Sequence, residues 1–214
     1  MNANENLYNL YVKTAIVFAF AFGYAIVRYH VFGPHIAAQI PSYLLNKGAS
    51  FAAVFCLTFS AYARFKDDLP HARYWGKASL GLAALHVFLS FPLWSFGYYD
   101  ALYMTPDFKY TDMMNMKGEI TLATGALCSV VYLMISSRRP KAITLMMTFA
   151  VTLVCMHVGV MGVMGWFTPE KWHGGLPPIT LLSFLVAVPS YWFLLIRQPT
   201  IQRGAYGASA EAVD

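Results

Sequence analysis

The chain has 214 residues, of which 58% are hydrophobic, 16% are aromatic and only 12% are charged. Soluble domains carry about 25% charged residues, so this chain has too little charge to cover a water-exposed surface. The composition argues against a soluble globule, a disordered chain and a nucleic-acid-binding module, and it indicates an integral membrane protein in a lipid bilayer. We interpret the net charge of +5 as a topology signal.

Charged residues divide the sequence into six uncharged stretches, which we predict to be membrane-spanning helices. A span needs about 20 mostly apolar residues, and the flanking basic stems can extend the two short ones to the interface. The stretches are 14–27, 48–63, 78–99, 120–137, 142–169 and 172–196. The predicted fold class is all-α, a polytopic bundle of six transmembrane helices over 1–197 with a short polar tail over 198–214. A mixture of spans and buried helices is the alternative.

Lysine and arginine set the predicted orientation. One side, formed by the N-terminus, the loops at 64–77 and 138–141 and the C-terminus, carries ten of the 15 basic residues, and the other side carries five. Because basic residues concentrate on the cytoplasmic side of membrane proteins, both termini are expected in the cytoplasm.

Several chemistries find no support in the sequence. The three cysteines, Cys56, Cys128 and Cys155, lie inside apolar stretches and form no CxxC motif, which argues against a thiol–disulfide oxidoreductase and against c-type haem attachment. No HExxH motif, carboxylate pair or Ser-His-Asp candidate lies in a predicted span. A hydrolase, a metalloprotease and a di-iron carboxylate oxygenase are therefore disfavoured.

Two histidines are the principal ionisable groups at depth, and such groups in a membrane are functional candidates. His86 and His157 lie near the centres of the third and fifth stretches, whose helices run in the same direction. Their depths differ by about four residues, or about 6 Å. Two facing imidazoles can bind one haem iron axially, so we predict a b-type haem on His86 and His157. The alternatives are core histidines hydrogen-bonded to their neighbours and a proton relay.

Small residues accompany both histidines, and they would let a macrocycle or another helix approach closely. The same pattern is also common wherever helices pack against each other in lipid. Ser79, Ala83 and Ser90 share the His86 face, and Gly159, Gly162 and Gly165 follow His157. Methionines surround His157 as well. They suit flexible packing better than Cu(I) binding.

The remaining candidates lie nearer the predicted interfaces. His173, just before the last stretch, is a candidate cofactor-binding residue, although an interfacial histidine needs no special role. His30, His35 and His71 receive no assigned role. Basic residues could pair with haem propionates or anchor lipid headgroups: Arg28 and Lys47 on the outer side, and Arg73 and Lys77 on the inner side.

The layout resembles the ferric reductase-like transmembrane superfamily, and in particular its small haem-binding MsrQ/YedZ type. The matching features are the six stretches, GKASLGLAALH ending at His86, LVCMH ending at His157, LMISS before Arg138, and YLLNK ending at Lys47. The resemblance covers the membrane core. It implies transmembrane electron transfer through haem b, with His86 and His157 as axial ligands, in a bacterial inner membrane.

Two departures from the superfamily narrow this expectation. Two-haem members place a second histidine about 13–14 residues away on each helix, and this chain has none there, so one haem b is predicted. The chain also lacks a GxGxxG motif and a flavin- and nicotinamide-binding domain. We therefore expect an oxidoreductase component with a separate electron donor, such as a flavoprotein or a membrane quinol, and a separate acceptor.

A rival interpretation needs no cofactor. A small transporter or assembly subunit could use the same histidines as a proton relay or as polar packing residues. Helices broken near mid-membrane would favour this class, and Pro92 and Pro189 within predicted spans are compatible with it.

Overall fold

The computed structural model describes residues 3–33, 41–93, 114–137 and 140–196. These residues form helices and connecting turns, with no β-strand among them, which confirms the all-α prediction. The helices are α1 (Ala3–Ile26, continued by a π-helical turn over Val27–Val31), α2 (Ser42–Phe65), α3 (Leu69–Leu93), α4 (Met116–Ser137), α5 (Pro140–Trp166), α6 (Ile179–Ala187) and α7 (Pro189–Leu195). Two 3-10 turns, Pro169–Lys171 and His173–Gly175, connect α5 to α6.

Five stretches of the described residues are helical, long and apolar enough to cross a membrane, and the protein is a multi-pass integral membrane protein. They are Tyr8–Val31, Ser42–Phe65, Leu69–Leu93, Ile143–Trp166 and His173–Leu195. The remaining predicted span falls in α4, a helix of 22 residues that is not among these five. Six spans and cytoplasmic termini therefore stay predictions, and the tail over 198–214 lies outside the described residues.

The helices extend past the basic residues that bounded the predicted stretches. Lys13 and Lys47 lie inside α1 and α2, because a long basic side chain can extend from the helix toward the interface without ending the helix.

The predicted loop at 64–77 is wrong, since only residues 66–68 separate α2 from α3. In this turn Asp67 has a left-handed backbone, with φ of 64°. Asp68 then begins α3 by accepting a 3.2 Å hydrogen bond from the His71 N–H.

Helix α2 is the centre of the described bundle. In its most apolar stretch 67% of the residues are buried, whereas the buried share in every other candidate span of the described residues is 28% or less. It packs against α1, α3, α6 and α7. Small residues permit this close approach: a Cβ on Gly48 would lie 3.0 Å from the Phe22 Cα of α1, and Ala49, Ala52 and Ala53 are buried.

The hydrogen-bond pattern of the last span is interrupted where α6 gives way to α7 at Pro189, although Val188 between them keeps a helical backbone. Proline lacks the N–H that would continue the helical hydrogen bonds. Side chains supply partners at the break: Thr58 Oγ1 donates to the Val186 carbonyl at 2.9 Å, and Ser190 Oγ donates to Thr58 Oγ1 at 3.1 Å. The break is therefore packed against α2.

Helices α3 and α5, which carry the two central histidines, belong to different parts of the bundle. α3 packs mainly on α2, and α5 packs on α4 and α6. Much of the apolar surface of α3 near His86 is exposed, including Leu85, Phe88 and Phe91. The histidine side chains meet across the space between α3 and α5.

Candidate functional site

His86 and His157 face each other, which agrees with their predicted juxtaposition. Their ring centroids lie 6.4 Å apart, and the ring planes make an angle of 79°. Each histidine lies 17 residues after the start of its helix, and the ring contact places the two side chains at the same level of the bundle.

His157 is held by its ring. Its Nδ1 lies 3.0 Å from the Thr121 carbonyl oxygen and 3.4 Å from Thr124 Oγ1, both on α4. Because a carbonyl only accepts, Nδ1 carries the proton and Nε2 keeps its lone pair. The ring lies directly against Gly125, where a Cβ would be in van der Waals contact with Cε1 and Nδ1 of His157 at 3.4 Å.

His86 is held by its backbone. The fully buried Asn46 of α2 donates from Nδ2 to the His86 carbonyl at 2.9 Å and to Ser90 Oγ at 2.8 Å. Ser90 Oγ donates to the same carbonyl at 2.8 Å. The buried His86 Nδ1 and the buried Asn46 Oδ1 have no hydrogen-bond partner in the described part of the chain.

Two of the four predicted propionate partners, Arg28 and Lys47, lie near the end of α1 and the start of α2. Lys47 follows Asn46 on α2, and Asn46 contacts the His86 backbone. The Arg28 side chain is only 5% exposed and donates from Nη1 to the Leu176 carbonyl. Lys77 and Arg73 are exposed and lie nine and 13 residues before His86, which is about 14 and 20 Å along the helix. Of the four, Lys47 is the one that follows a residue in contact with His86.

The separation of the rings fits a single metal ion between them. Two metal–imidazole bonds of about 2.0 Å, with about 1 Å from each nitrogen to its ring centre, place the ring centres about 6 Å apart. Among the described residues no group of three or more His, Cys, Asp or Glu side chains could hold a metal ion. Haem iron needs only two protein ligands, because the porphyrin supplies the other four. The two histidines therefore meet the number of protein ligands that haem iron takes.

His173 lies apart from this pair, on the turn that precedes α6. Its ring contacts Tyr29 edge-on at a centroid distance of 6.4 Å, and Tyr29 in turn contacts Tyr43 at 5.7 Å. The neighbouring Gly174 has a φ of 59°, and a Cβ on it would clash with the Phe32 ring. The structure thus places His173 against the C-terminal end of α1, and its cofactor role stays a prediction.

The other histidines occupy different settings. His71 Nδ1 pairs with Asp68 Oδ2 at 2.7 Å at the start of α3. His30 lies in the π-helical turn after α1, and His35 lies outside the described residues.

The small residues named from the sequence have separate roles. Ser90 binds the His86 carbonyl, as its position on that face suggested, whereas Ser79 binds the Ala53 carbonyl at 2.8 Å. A Cβ on Gly162 would clash with Thr180, so this glycine serves helix packing. Met156 and Met164 are 49% and 79% exposed and do not enclose His157.

Sequence reasoning missed the neutral residues that hold the pair: Asn46, Thr121, Thr124 and Gly125. One available signal was the asparagine inside an otherwise apolar part of α2. Another was the Thr-x-x-Thr-Gly pattern, which places two hydroxyls and a gap on one face of α4.

Comparison with known proteins adds no family. No family model matches the chain, and no curated protein matches it either. The resemblance to ferric reductase-like proteins therefore stays a prediction. The arguments for function come from the chain's own geometry.

Proposed function

We propose that this protein binds one b-type haem between His86 and His157 and transfers electrons across the bilayer. The observation that carries this proposal is the 6.4 Å separation of the two imidazole centroids. The hydrogen bond from His157 Nδ1 to the Thr121 carbonyl supports it further. Metal-ligating histidines usually donate their second ring nitrogen in this way.

The chain's own residues supply the ligands, the apolar slot and the charge around the group. His86 and His157 would bind the iron through Nε2, and the apolar side chains of α3 and α5 would exclude water. Lys47 and Arg28 would balance carboxylates on the outer side. When bound, the haem supplies one-electron redox chemistry between ferric and ferrous iron.

Electron balance requires two partners outside this chain. One electron enters from a separate donor, a flavoprotein or a membrane quinol, and the same electron leaves to a partner protein or a small oxidant. The protein would then be an oxidoreductase component resembling the ferric reductase-like superfamily, with six spans and both termini in the cytoplasm. A bacterial inner membrane is the proposed location.

The visible spectrum of the purified full-length protein tests the proposal. We expect a Soret band and a low-spin ferrous spectrum in the wild type, produced with an ample haem supply. His86→Ala and His157→Ala should each lose most of the Soret absorbance per protein, because each removes one of the two side chains that would hold the iron. Absence of the band in the wild type after reconstitution with hemin would overturn the proposal.

His71→Ala is the matched control. His71 also lies on α3, but its ring pairs with Asp68 far from the pair. Its Soret absorbance should equal that of the wild type. Equal spectra for all three alanine variants would show that the central pair does not ligate haem.

A cofactor-free transporter is the second candidate, favoured by the break in the last span at Pro189. The polar groups there are already engaged by Thr58 and Ser190, which weakens the case for a solute or ion site at the break. Proton or solute flux into liposomes from colourless protein, lost in His157→Ala, would favour this candidate over haem.

A further inference from the structure

We infer that Asn46 is a positioning residue for His86. Its Nδ2 fixes the His86 backbone, and its Oδ1 is the acceptor for the His86 Nδ1 proton when Nε2 binds metal. This inference rests on the proposed haem function. It assigns to Asn46 the role that the Thr121 carbonyl has for His157.

The first observation is the cost of burying Asn46. An asparagine with 0% exposure inside the central helix of a membrane protein needs partners for all its polar atoms, because leaving a buried polar group unpaired destabilises the fold. Nδ2 has two partners, the His86 carbonyl and Ser90 Oγ. Oδ1 has none in the described part of the chain, so half of the amide is unexplained.

The second observation is that a ring nitrogen of His86 also lacks a hydrogen-bond partner. Its Nδ1 is buried and also lacks a partner among the described residues. In an imidazole that binds metal through Nε2, Nδ1 carries a proton and acts as a donor. His86 Nδ1 therefore lacks an acceptor, and Asn46 Oδ1, on the residue that binds the His86 carbonyl, lacks a donor. A hydrogen bond from Nδ1 to Oδ1 would satisfy both buried atoms.

The consequence concerns the iron. An acceptor on Nδ1 increases the electron density that a histidine gives to its metal and fixes the plane of the ring. More electron donation favours the ferric state and lowers the reduction potential. Asn46 would thus tune the potential through His86 without touching the haem itself.

A series of substitutions at Asn46, measured by redox titration of the haem-loaded protein, separates this role from simple helix packing. Asn46→Leu removes both donor and acceptor, so its potential should rise. Asn46→Asp removes the donor to the backbone but keeps a stronger acceptor, so its potential should fall below that of the wild type. The expected order of reduction potential is Asp, Asn, Leu, from lowest to highest.

A packing role predicts a different order, because both variants lose the bond to the His86 carbonyl and both would deviate in the same direction. That result would overturn the inference, as would a potential unchanged in both variants, which would mean that Nδ1 itself binds the iron or that His86 has another acceptor. Since misfolding can also reduce loading, potentials are compared only for the haem-loaded fraction, and the rate of haem loss to apomyoglobin gives a second measure. Haem loss should be faster in Asn46→Leu than in Asn46→Asp.

Ser60→Ala is the matched control. Ser60 is buried in the same α2–α3 interface and donates to the Ala72 carbonyl at 2.7 Å, but it lies 14 residues from Asn46. This variant should lower thermal stability and leave the reduction potential unchanged. A wild-type protein without haem would disprove the proposed function itself, whereas a loaded protein with the wrong order of potentials would disprove only the role of Asn46.

Discussion

The two facing histidines are held in opposite ways. His157 is fixed at its ring, where the Thr121 carbonyl accepts from Nδ1 at 3.0 Å. His86 is fixed at its backbone, where Asn46 and Ser90 both donate to its carbonyl. One imidazole therefore has a defined tautomer, while the other has a defined helix position and a ring nitrogen without a partner in the described structure.

This difference follows from the helices that carry the histidines. α3 packs on the central helix α2, so neighbouring side chains reach its backbone. α5 packs on α4, where Gly125 lets the His157 ring lie against the helix surface and reach a carbonyl. We therefore expect substitutions around His157 to change the orientation of the His157 ring. Substitutions around His86 should change how strongly His86 donates electron density to the iron.

The largest effect in this comparison is expected from Gly125→Leu. A Cβ alone would lie 3.4 Å from the His157 ring, and three further carbons would displace it from the Thr121 carbonyl. Overpacking costs about 1–3 kcal/mol. This cost would lower the equilibrium population of the ligand-binding orientation of His157 by roughly 5- to 150-fold. Soret absorbance per protein should fall severalfold.

Gly81→Leu provides the control for adding a leucine to a membrane helix. A Cβ on Gly81 meets nothing within 4 Å, so haem content should match the wild type. Equal haem loading in Gly125→Leu and Gly81→Leu would contradict the claim that His157 is oriented against α4.

A smaller effect is expected from Thr124→Val, which keeps the shape of the side chain and removes its hydroxyl. The 3.4 Å contact to His157 Nδ1 is longer than the bond to the Thr121 carbonyl, so it contributes at the low end of about 0.5–1.5 kcal/mol. Haem dissociation should accelerate about twofold. Transfer of haem to apomyoglobin measures this rate.

Thr121→Val is the comparison that sharpens this result. The Thr121 hydroxyl donates to the Lys117 carbonyl at 2.8 Å, while its backbone carbonyl, which the substitution keeps, serves His157. Haem dissociation should be unchanged. A larger effect at Thr121 than at Thr124 would show that the local conformation of α4, and not the Thr124 hydroxyl, governs the hold on His157.

The helices and the histidine pair were predictable from the sequence because both depend on where charge is scarce. A lone imidazole near the centre of an apolar stretch is conspicuous, and His86 and His157 are the two histidines in that position. Helix ends were less predictable, since Lys13 and Lys47 lie within helices and do not end them.

The residues that hold the pair were not predictable in the same way. Asparagine, threonine and glycine are ordinary in membrane helices. Whether Asn46 faces lipid, a neighbour or a ligand depends on how α2 packs against α3. Periodicity gives the face of one helix, but the partner of that face is set by tertiary packing, which also decided that Gly125 and not Gly159 lies against His157.

A third histidine provides the smallest and most local test of the comparison. Near the exposed start of α3, His71 is paired with a carboxylate, with Asp68 Oδ2 2.7 Å from Nδ1. The hydrogen bonds from the His71 ring and backbone lower the pKa of the Asp68 carboxyl below its usual value. A carboxyl with a lowered folded-state pKa stabilises the fold above its unfolded-state pKa of about 3.9. That stabilisation is lost as the pH falls through the lower folded-state value.

Asp68→Asn should therefore lower the thermal unfolding temperature slightly at neutral pH, and the difference from wild type should vanish in strong acid. Because this pair lies far from the bundle centre, the haem spectrum and reduction potential should not change at any pH where the protein is folded. A difference in unfolding temperature that is independent of pH would assign the effect to helix capping by Asp68 and not to its charge. A changed haem spectrum would mean that the start of α3 controls the position of His86, so that backbone anchoring by Asn46 and Ser90 would not be sufficient.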